Sequence, residues 1–267
     1  MEPSIKIFTF YHKNAPVLIQ DDIYCPIMAG NAFVENSSIQ GDDTGDNISA
    51  KNKNYCELTG IFWAWRNMKE NIVGSCHYRR YFTAKPEPFL YKLKRLLYIP
   101  LGMYKKRYGL IYTSKVPYFL PGIINKEEIC HLMSEYDAIL PQARKLRYTV
   151  EEHYRRYHRI DDLKLLEQII AQKYPDYMEA FCTILNSNRL YANNMFILHN
   201  NHYQEFMEWW FDILFEFEQR IDMSQYTGYQ GRIIGFIAER LLNVWFEKHQ
   251  LKVIELPVIY FKSQKTL

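Results

Sequence analysis

The sequence predicts an α/β fold, a Rossmann-like mixed sheet flanked by helices, and three observations carry that prediction. β-rich apolar runs stand at Ile5–Phe10 and from Ile72 through Cys76. Between them, from Lys51 to Lys69, Tyr55, Leu58, Phe62 and Trp65 recur at helical spacing, as in an amphipathic helix packed on a sheet. Strand, helix and strand in that order make a β-α-β unit, the architecture in which loops beyond the strand ends collect phosphates. With 267 residues and 48% apolar content, the chain is long enough to bury a full core, and one unit with an insertion is expected.

Taken in order, Ile5–Phe10 is a strand followed by Tyr11, His12 and Lys13, and Ile27–Ala29 is a strand leading into Gly30. The loop Asn36–Asp46 is rich in Ser, Gly and Asp, and Asn47 or Ser49 is expected to cap the helix that follows. Pro86–Gly122 breaks the pattern, with five Pro and no clean period apart from a short helical stretch around Leu90–Leu97; it reads as an insertion. Beyond it come a strand at Ala138–Leu140, a helix at Ile160–Lys173 and a strand at Leu190–Leu198. Helices about His202–Ile221 and Gly231–Lys248 and a strand near Val253–Phe261 close the chain.

The five cysteines are odd in number, widely spaced and never in a CxxC pair, so neither a disulfide framework nor a zinc site is indicated and a reducing, cytoplasmic setting is expected. The N-terminus has no signal pattern, and no run approaches the roughly 18 apolar residues of a membrane span. His153 and His158 are not in an HExxH arrangement, and Asp42, Asp43 and Asp46 lack the spacing of a calcium loop. Without a Gly-rich phosphate loop or a G-x-S-x-G elbow, kinase and hydrolase readings have no residues to carry them.

Two features point to chemistry. In Ile72–Phe82 an apolar strand runs into His77, Arg79 and Arg80. Arg is the side chain best shaped for bidentate phosphate contact, so this strand end suggests an anionic ligand, most simply a diphosphate; an edge strand with solvated Arg residues fits the segment equally. Charge is the second feature. Eight Lys or Arg and no Asp or Glu lie between Pro88 and Lys126, which leaves the remainder of a chain of net charge +3 at −5.

The segments His12–Lys13, DNISAKNKNYCELTGIFWAW from Asp46, VGSCHYRRYF from Val73, YDAILP from Tyr136, EEHYRRYHRIDDL from Glu151, NNMFIL from Asn193 and GRIIGFIAERLLNVW from Gly231 resemble the DUF4422 family. These are glycosyltransferase-like proteins of bacterial capsule, exopolysaccharide and O-antigen gene clusters. The resemblance covers nearly the whole chain, least of all the basic insertion. It implies a GT-A-like transferase moving a hexose, galactose or galactofuranose, from a UDP donor to a growing glycan. In that frame residues 1–85 are the nucleotide-sugar half, 86–126 the insertion and 127–267 the acceptor half. GT-A enzymes generally end the strand after the first large helix in a metal-binding Asp-x-Asp, and the comparable position here reads His77-Tyr78-Arg79. A cationic cluster there does for charge what a divalent metal does elsewhere, so a metal-independent enzyme without a cofactor is expected.

Roles follow from the same frame. His77, Arg79 and Arg80 are expected on the departing diphosphate. His12 and Lys13 are expected near the uridine or diphosphate, although a solvated loop lysine explains Lys13 as well. Asp46, Asn47, Lys51 and Asn52 stand at a helix N-terminus, where ribose hydroxyls and phosphates are readily held, while capping and the helix dipole explain Asp46 and Asn47 without a ligand. Glu57 belongs to the family motif and is expected to orient a partner. Glu239 is a candidate general base, sharing a helix face with Arg232 at i, i+7, although an ordinary solvated face has the same spacing. Asp162 with His158 at i, i+4 is the rival pair, and Asp162 equally suits a helix N-terminus. Asn194 precedes a strand that borders the acceptor in GT-A folds.

The insertion mixes its basic residues with Phe89, Leu90, Tyr91, Leu93, Leu96, Leu97 and Tyr98, which suits attachment to an anionic membrane surface through residues 88–126, at the inner leaflet where lipid-linked acceptors are built. A non-catalytic nucleotide-sugar or glycan sensor is one alternative, and a nucleic-acid-binding protein that uses the same basic and aromatic stretch is a second, less favoured one. Nucleic acid is not expected as a partner, because the rest of the chain is acidic and carries no nucleic-acid-binding motif.

Overall fold

Alternation along four strands builds a sheet buried on both faces. In β1 (Ile5–Tyr11) Phe8 and Phe10 face one core while Ile5 and Ile7 face the other. In β4 (Ile72–His77) Val73 and Ile72 divide in the same way, as do Leu140 and Ile139 in β7 (Ala138–Pro141) and Phe196 and Ile197 in β10 (Phe196–His199). Sheets covered on both faces are typical of parallel α/β architecture. The computed structural model describes residues 3–98 and 110–262.

The central path runs β11–β7–β10–β4–β1–β2–β3, with β2 at Tyr24–Met28, β3 at Gln40–Gly41 and β11 at Val253–Leu256. β10 is antiparallel to both of its neighbours, and the remaining pairs on the path are parallel. An extension leaves β4 through β5 (Arg80–Phe82), antiparallel to both β4 and β12 (Val258–Phe261), and β12 in turn pairs in parallel with β6 (Leu110–Thr113). A separate ribbon joins β8 (Arg144–Lys145) to β9 (Arg189–Leu190).

One face carries α1 (Asn52–Tyr55), α2 (Leu58–Asn67) and the helices α6 (Val150–Tyr157), α7 (Ile160–Lys173), α8 (Met178–Asn186), α9 (Asn200–Arg220) and α10 (Ile233–His249). The other carries α4 (Val116–Phe119) and α5 (Lys126–Glu135), while α3 (Phe89–Tyr98) touches it mainly through Tyr91. On α10, Ile233, Ile237, Leu241 and Val244 are fully buried, as their spacing predicts. Gly60 brings α2 onto β1: a Cβ there would lie 2.4 Å from Cδ1 of Phe10. Among the described residues no helix is long and apolar enough to cross a membrane.

The structure departs from the sequence reading in five places. The helix expected over Lys51–Lys69 is interrupted at Cys56, whose φ of 54° lies outside helical space. Neither Asn47 nor Ser49 caps it: Asn47 accepts from the Ser49 N–H in a local turn, and the Ser49 hydroxyl bonds to buried Asp42. The strand expected over Leu190–Leu198 is two strands, β9 and β10, separated by a turn at Asn193 and Asn194. The last strand divides at Pro257, which ends the pairing of β11 with β7 and starts that of β12 with β5. The insertion is only partly peripheral. Residues 99–109, which hold Lys105, Lys106 and Arg107, lie outside the described residues, but Ile111, Val116, Phe119 and Ile123 enter the second core.

Candidate functional site

The carboxyl ends of β1, β2 and β4 and the amino end of β10 open on one edge of the sheet, where a cleft of about 830 Å³ lies. The chain passes outward from β1 to β2 and β3, then returns to β4 on the other side of β1, so the cleft stands where strand order reverses, the usual ligand position in such sheets. The segment from β8 into α6 and the first half of α10 make its opposite wall.

Lys53, Arg79, Arg80, Arg144, Lys145, Arg147, Arg232 and Arg240 line this cleft, against Glu57 and Glu239 as its carboxylates. Arg79 and Arg80 follow the end of β4. Their guanidinium carbons lie 5.4 and 5.2 Å from the Tyr260 ring centre, and that of Arg79 is also 4.9 Å from the Tyr78 ring. Such stacking holds a cation in place at a gain of about 0.5–2 kcal/mol, and Arg79 is further fixed by donating from Nη1 to the Lys262 carbonyl at 3.3 Å. The Nε of each is buried without a hydrogen-bond partner, a state that favours an incoming acceptor.

His77 lies beside this pair but does not add to its charge, contrary to the cationic cluster expected from sequence. Its Nε2 is 2.6 Å from the Asn193 carbonyl oxygen, which only accepts, so the ring donates from Nε2. Burial, with repulsion from Arg80, brings its pKa down to about 3, and the ring is neutral at pH 7. Burial likewise lowers the pKa of His12, which lines the cleft.

A strained turn organises the reactive side. Asn193 and Asn194 have φ of 76° and 49°, a left-handed pair that Asn tolerates better than most residues. The Asn193 N–H donates to Oε1 of Glu239 at 2.8 Å, the Asn194 side chain donates to Oε1 of Glu57 at 2.9 Å, and the Ser75 hydroxyl donates to the Asn194 carbonyl at 2.9 Å. Both cleft carboxylates are thereby oriented from a single turn. Arg144 donates to Oδ1 of Asn193 at 3.0 Å, and Arg240 reaches Oε2 of Glu239 at 3.2 Å.

The break at Cys56 gives the helix face its function. It turns Asn52, Lys53, Cys56 and Glu57 toward the cleft and is held by the Asn52 amide on the Cys56 carbonyl at 2.7 Å and by Nε of Arg232 on Sγ at 3.1 Å. His158 also lines the cleft. Gln230 donates its amide to the Tyr157 carbonyl, so its oxygen faces His158, which donates from Nδ1 at 3.1 Å and keeps Nε2 as an acceptor. Burial lowers the pKa of His158 as well.

Five sequence candidates stand elsewhere, and a sixth lies behind the wall. Lys13 is exposed and does not line the cleft. Asp46 pairs with Arg66 at 2.6 Å and Lys51 with Glu218 at 2.6 Å, so neither is directed at a ligand. Asn47 is used in the local turn described above. Asp162 is 2% exposed and accepts from the hydroxyls of Tyr154 and Tyr226; burial raises its pKa, and Tyr154 takes the contact that the spacing assigned to His158. Asn194 acts through Glu57 rather than through the lining. Sequence reasoning missed Arg144, Arg147, Arg240 and His153. The strand-end rule that singles out Arg79 after β4 applies equally to Arg144 after β7, whereas Arg240 is hidden in an apolar helix.

The end of β4 carries an imidazole held by a carbonyl, a tyrosine and an arginine, and no carboxylate pair stands there. Among the described residues no group of three or more His, Cys, Asp or Glu is arranged to hold a metal ion.

The profile of a family described as "Domain of unknown function (DUF4422)" matches residues 6–250. The fold is similar to the solved structure titled "WbbM bifunctional glycosytransferase apo structure", with a TM-score of 0.82 and 30% identity over 97% of this chain. That alignment spans 46% of the WbbM chain, so the present chain corresponds to about half of that protein. No curated protein matches the sequence.

Proposed function

The chain belongs to the DUF4422 family, and on that premise we propose that its cleft is the active site of a glycosyltransferase. The reaction moves a hexose, galactose in pyranose or furanose form, from a UDP donor to a growing bacterial surface glycan carried on a lipid. The observation that carries this reading is the paired, partnerless Nε donors of Arg79 and Arg80 at the strand-order reversal, in a cleft with eight Lys or Arg and two Glu.

In this mechanism the bond between the anomeric carbon and the diphosphate breaks, and UDP leaves with the electron pair. Arg79 and Arg80 stabilise the charge that develops on it, with Arg232 and His12 on the same wall. The acceptor hydroxyl oxygen forms the new bond to the anomeric carbon, and its proton passes to Glu239. That carboxylate is fixed by the Asn193 N–H and is 22% exposed, so it is both oriented and reachable. Glu57, held by Asn194, supports the same turn.

Membrane attachment belongs to the proposal. Phe89, Leu90, Leu93, Leu96 and Leu97 of α3 are 44–75% exposed and fall within roughly 120° of arc at 3.6 residues per turn. Lys92 flanks this stripe, and the helix contains no acidic residue, the pattern of a helix lying in an anionic membrane interface on the cytoplasmic side.

UDP release from UDP-galactopyranose, UDP-galactofuranose and UDP-glucose, measured with lipid-linked glycan acceptors, tests the activity. The wild type turns over one of them. Glu239→Gln retains UDP binding and loses about 10²–10⁴-fold in kcat, the span of general base catalysis. A wild type that binds donor and never consumes it is a sensor, and the transferase reading fails.

A further inference from the structure

The cationic groups of the cleft come from two separate parts of the chain. Arg79 and Arg80 follow β4, whereas Arg144 and Arg147 follow β7 and Arg240 comes from α10. Asn193 links the two sets, with its carbonyl on His77 and its Oδ1 on Arg144, and Arg144 lies within electrostatic reach of both Arg80 and Arg240. A nucleotide-sugar diphosphate bears one charge on each phosphorus, and this offsets only part of a lining with six more Lys and Arg than Glu.

The second set is built for a ligand. Arg240 is 2% exposed and spends one nitrogen on the Phe236 carbonyl and Glu239, while its Nε is buried without a hydrogen-bond partner. Nδ1 of His153, also in the lining, is buried and without a partner as well. A buried guanidinium with an open donor is unfavourable until an anion arrives. Glu239 ties this set to the chemistry. It bonds to Arg240 directly and to Arg144 through Asn193, so an acceptor whose hydroxyl meets Glu239 lies against these guanidinium groups.

We propose that Arg144, Arg147 and Arg240 form a second anion subsite that binds a phosphate or diphosphate group carried by the acceptor. This deepens the transferase reading and rests on it for the identity of the first subsite. Several guanidinium groups lining one cleft favour a multivalent phosphate over a single carboxylate. Two short acceptor types bring that group within reach of the accepting hydroxyl in one cleft, a polyprenyl diphosphate bearing only its first sugars and a free sugar phosphate.

Calorimetric titration of inorganic pyrophosphate into UDP-saturated protein tests the subsite. The wild type binds one further equivalent, and Arg144→Ala and Arg147→Ala each weaken that binding at least tenfold, while the UDP affinity of Arg147→Ala stays within about twofold. Arg147 is exposed, so its variant is safe for folding. Pyrophosphate that only displaces UDP, or binds both variants as well as the wild type, overturns the proposal. If UDP fails to bind while pyrophosphate still depends on Arg144 and Arg147, the donor assignment falls and the subsite stands. Farnesyl diphosphate and glucose 1-phosphate in parallel distinguish the two sources, and failure of both to bind also overturns the subsite.

Discussion

His77 and His153 sit among guanidinium groups, and burial first, with repulsion from Arg80 and Arg240 second, holds their pKa values down to about 3 and about 4 from an ordinary 6.5. In the unfolded chain each ring takes up a proton near pH 6.5, whereas the folded chain resists until well below that. Unfolding therefore binds protons in this window. The stability the neutral rings contribute is complete above pH 6.5 and is lost as pH falls toward their folded values. His77→Gln keeps an N–H for the Asn193 carbonyl and removes the titration. Its thermal midpoint should fall less than that of the wild type between pH 7 and about pH 5, and an identical fall would show that His77 titrates normally in the folded protein.

At the scale of elements, the cleft depends on how closely α2 approaches β1, because the loop ahead of α2 delivers Asn52, Cys56 and Glu57. Gly60 permits that approach, and Gly60→Ala should destabilise the fold by about 1–3 kcal/mol, the usual cost of overpacking, read as a drop in thermal midpoint. An unchanged midpoint would mean that the helix shifts freely on the sheet. Periodicity made the elements legible: Tyr55, Leu58 and Phe62 are buried as the helical pattern requires, and α9 and α10 lie within two residues of their expected bounds at both ends. Arg79, Arg80, Asn52, Arg232 and Glu239 were legible because strand ends and helix faces show in local sequence, whereas Glu57 stood on the family motif alone, and all six line the cleft. What was not legible depends on backbone conformation or distant partners. The positive φ at Cys56, Asn193 and Asn194 leaves no trace in hydrophobic period, and the partners that divert Asp46, Lys51 and Asp162 lie 20, 167 and 64 residues away. Arg240 reads as a misplaced charge in an apolar helix until the fold brings it to Glu239.

For the whole molecule, the function proposed above joins the cationic cleft to the apolar stripe of α3 as parts of an enzyme that works on a membrane-borne acceptor. Leu90 and Leu97 are 73% and 66% exposed, and burying each in a lipid interface contributes about 1.5–3 kcal/mol. The double variant Leu90→Asp, Leu97→Asp should bind phosphatidylglycerol vesicles at least tenfold more weakly in co-sedimentation, with UDP affinity unaltered. Equal sedimentation of both proteins would remove α3 from membrane contact. The account rests most heavily on guanidinium groups, rather than a metal, receiving the donor diphosphate. Calorimetric titration of UDP in the presence of EDTA, into the wild type and into Arg79→Ala, tests this most directly. A hydrogen bond to a charged group contributes about 1.5–3 kcal/mol, so the wild type should bind without metal and Arg79→Ala should bind at least tenfold more weakly. Binding that appears only when Mn²⁺ is added, or that is indifferent to loss of Arg79, would contradict it.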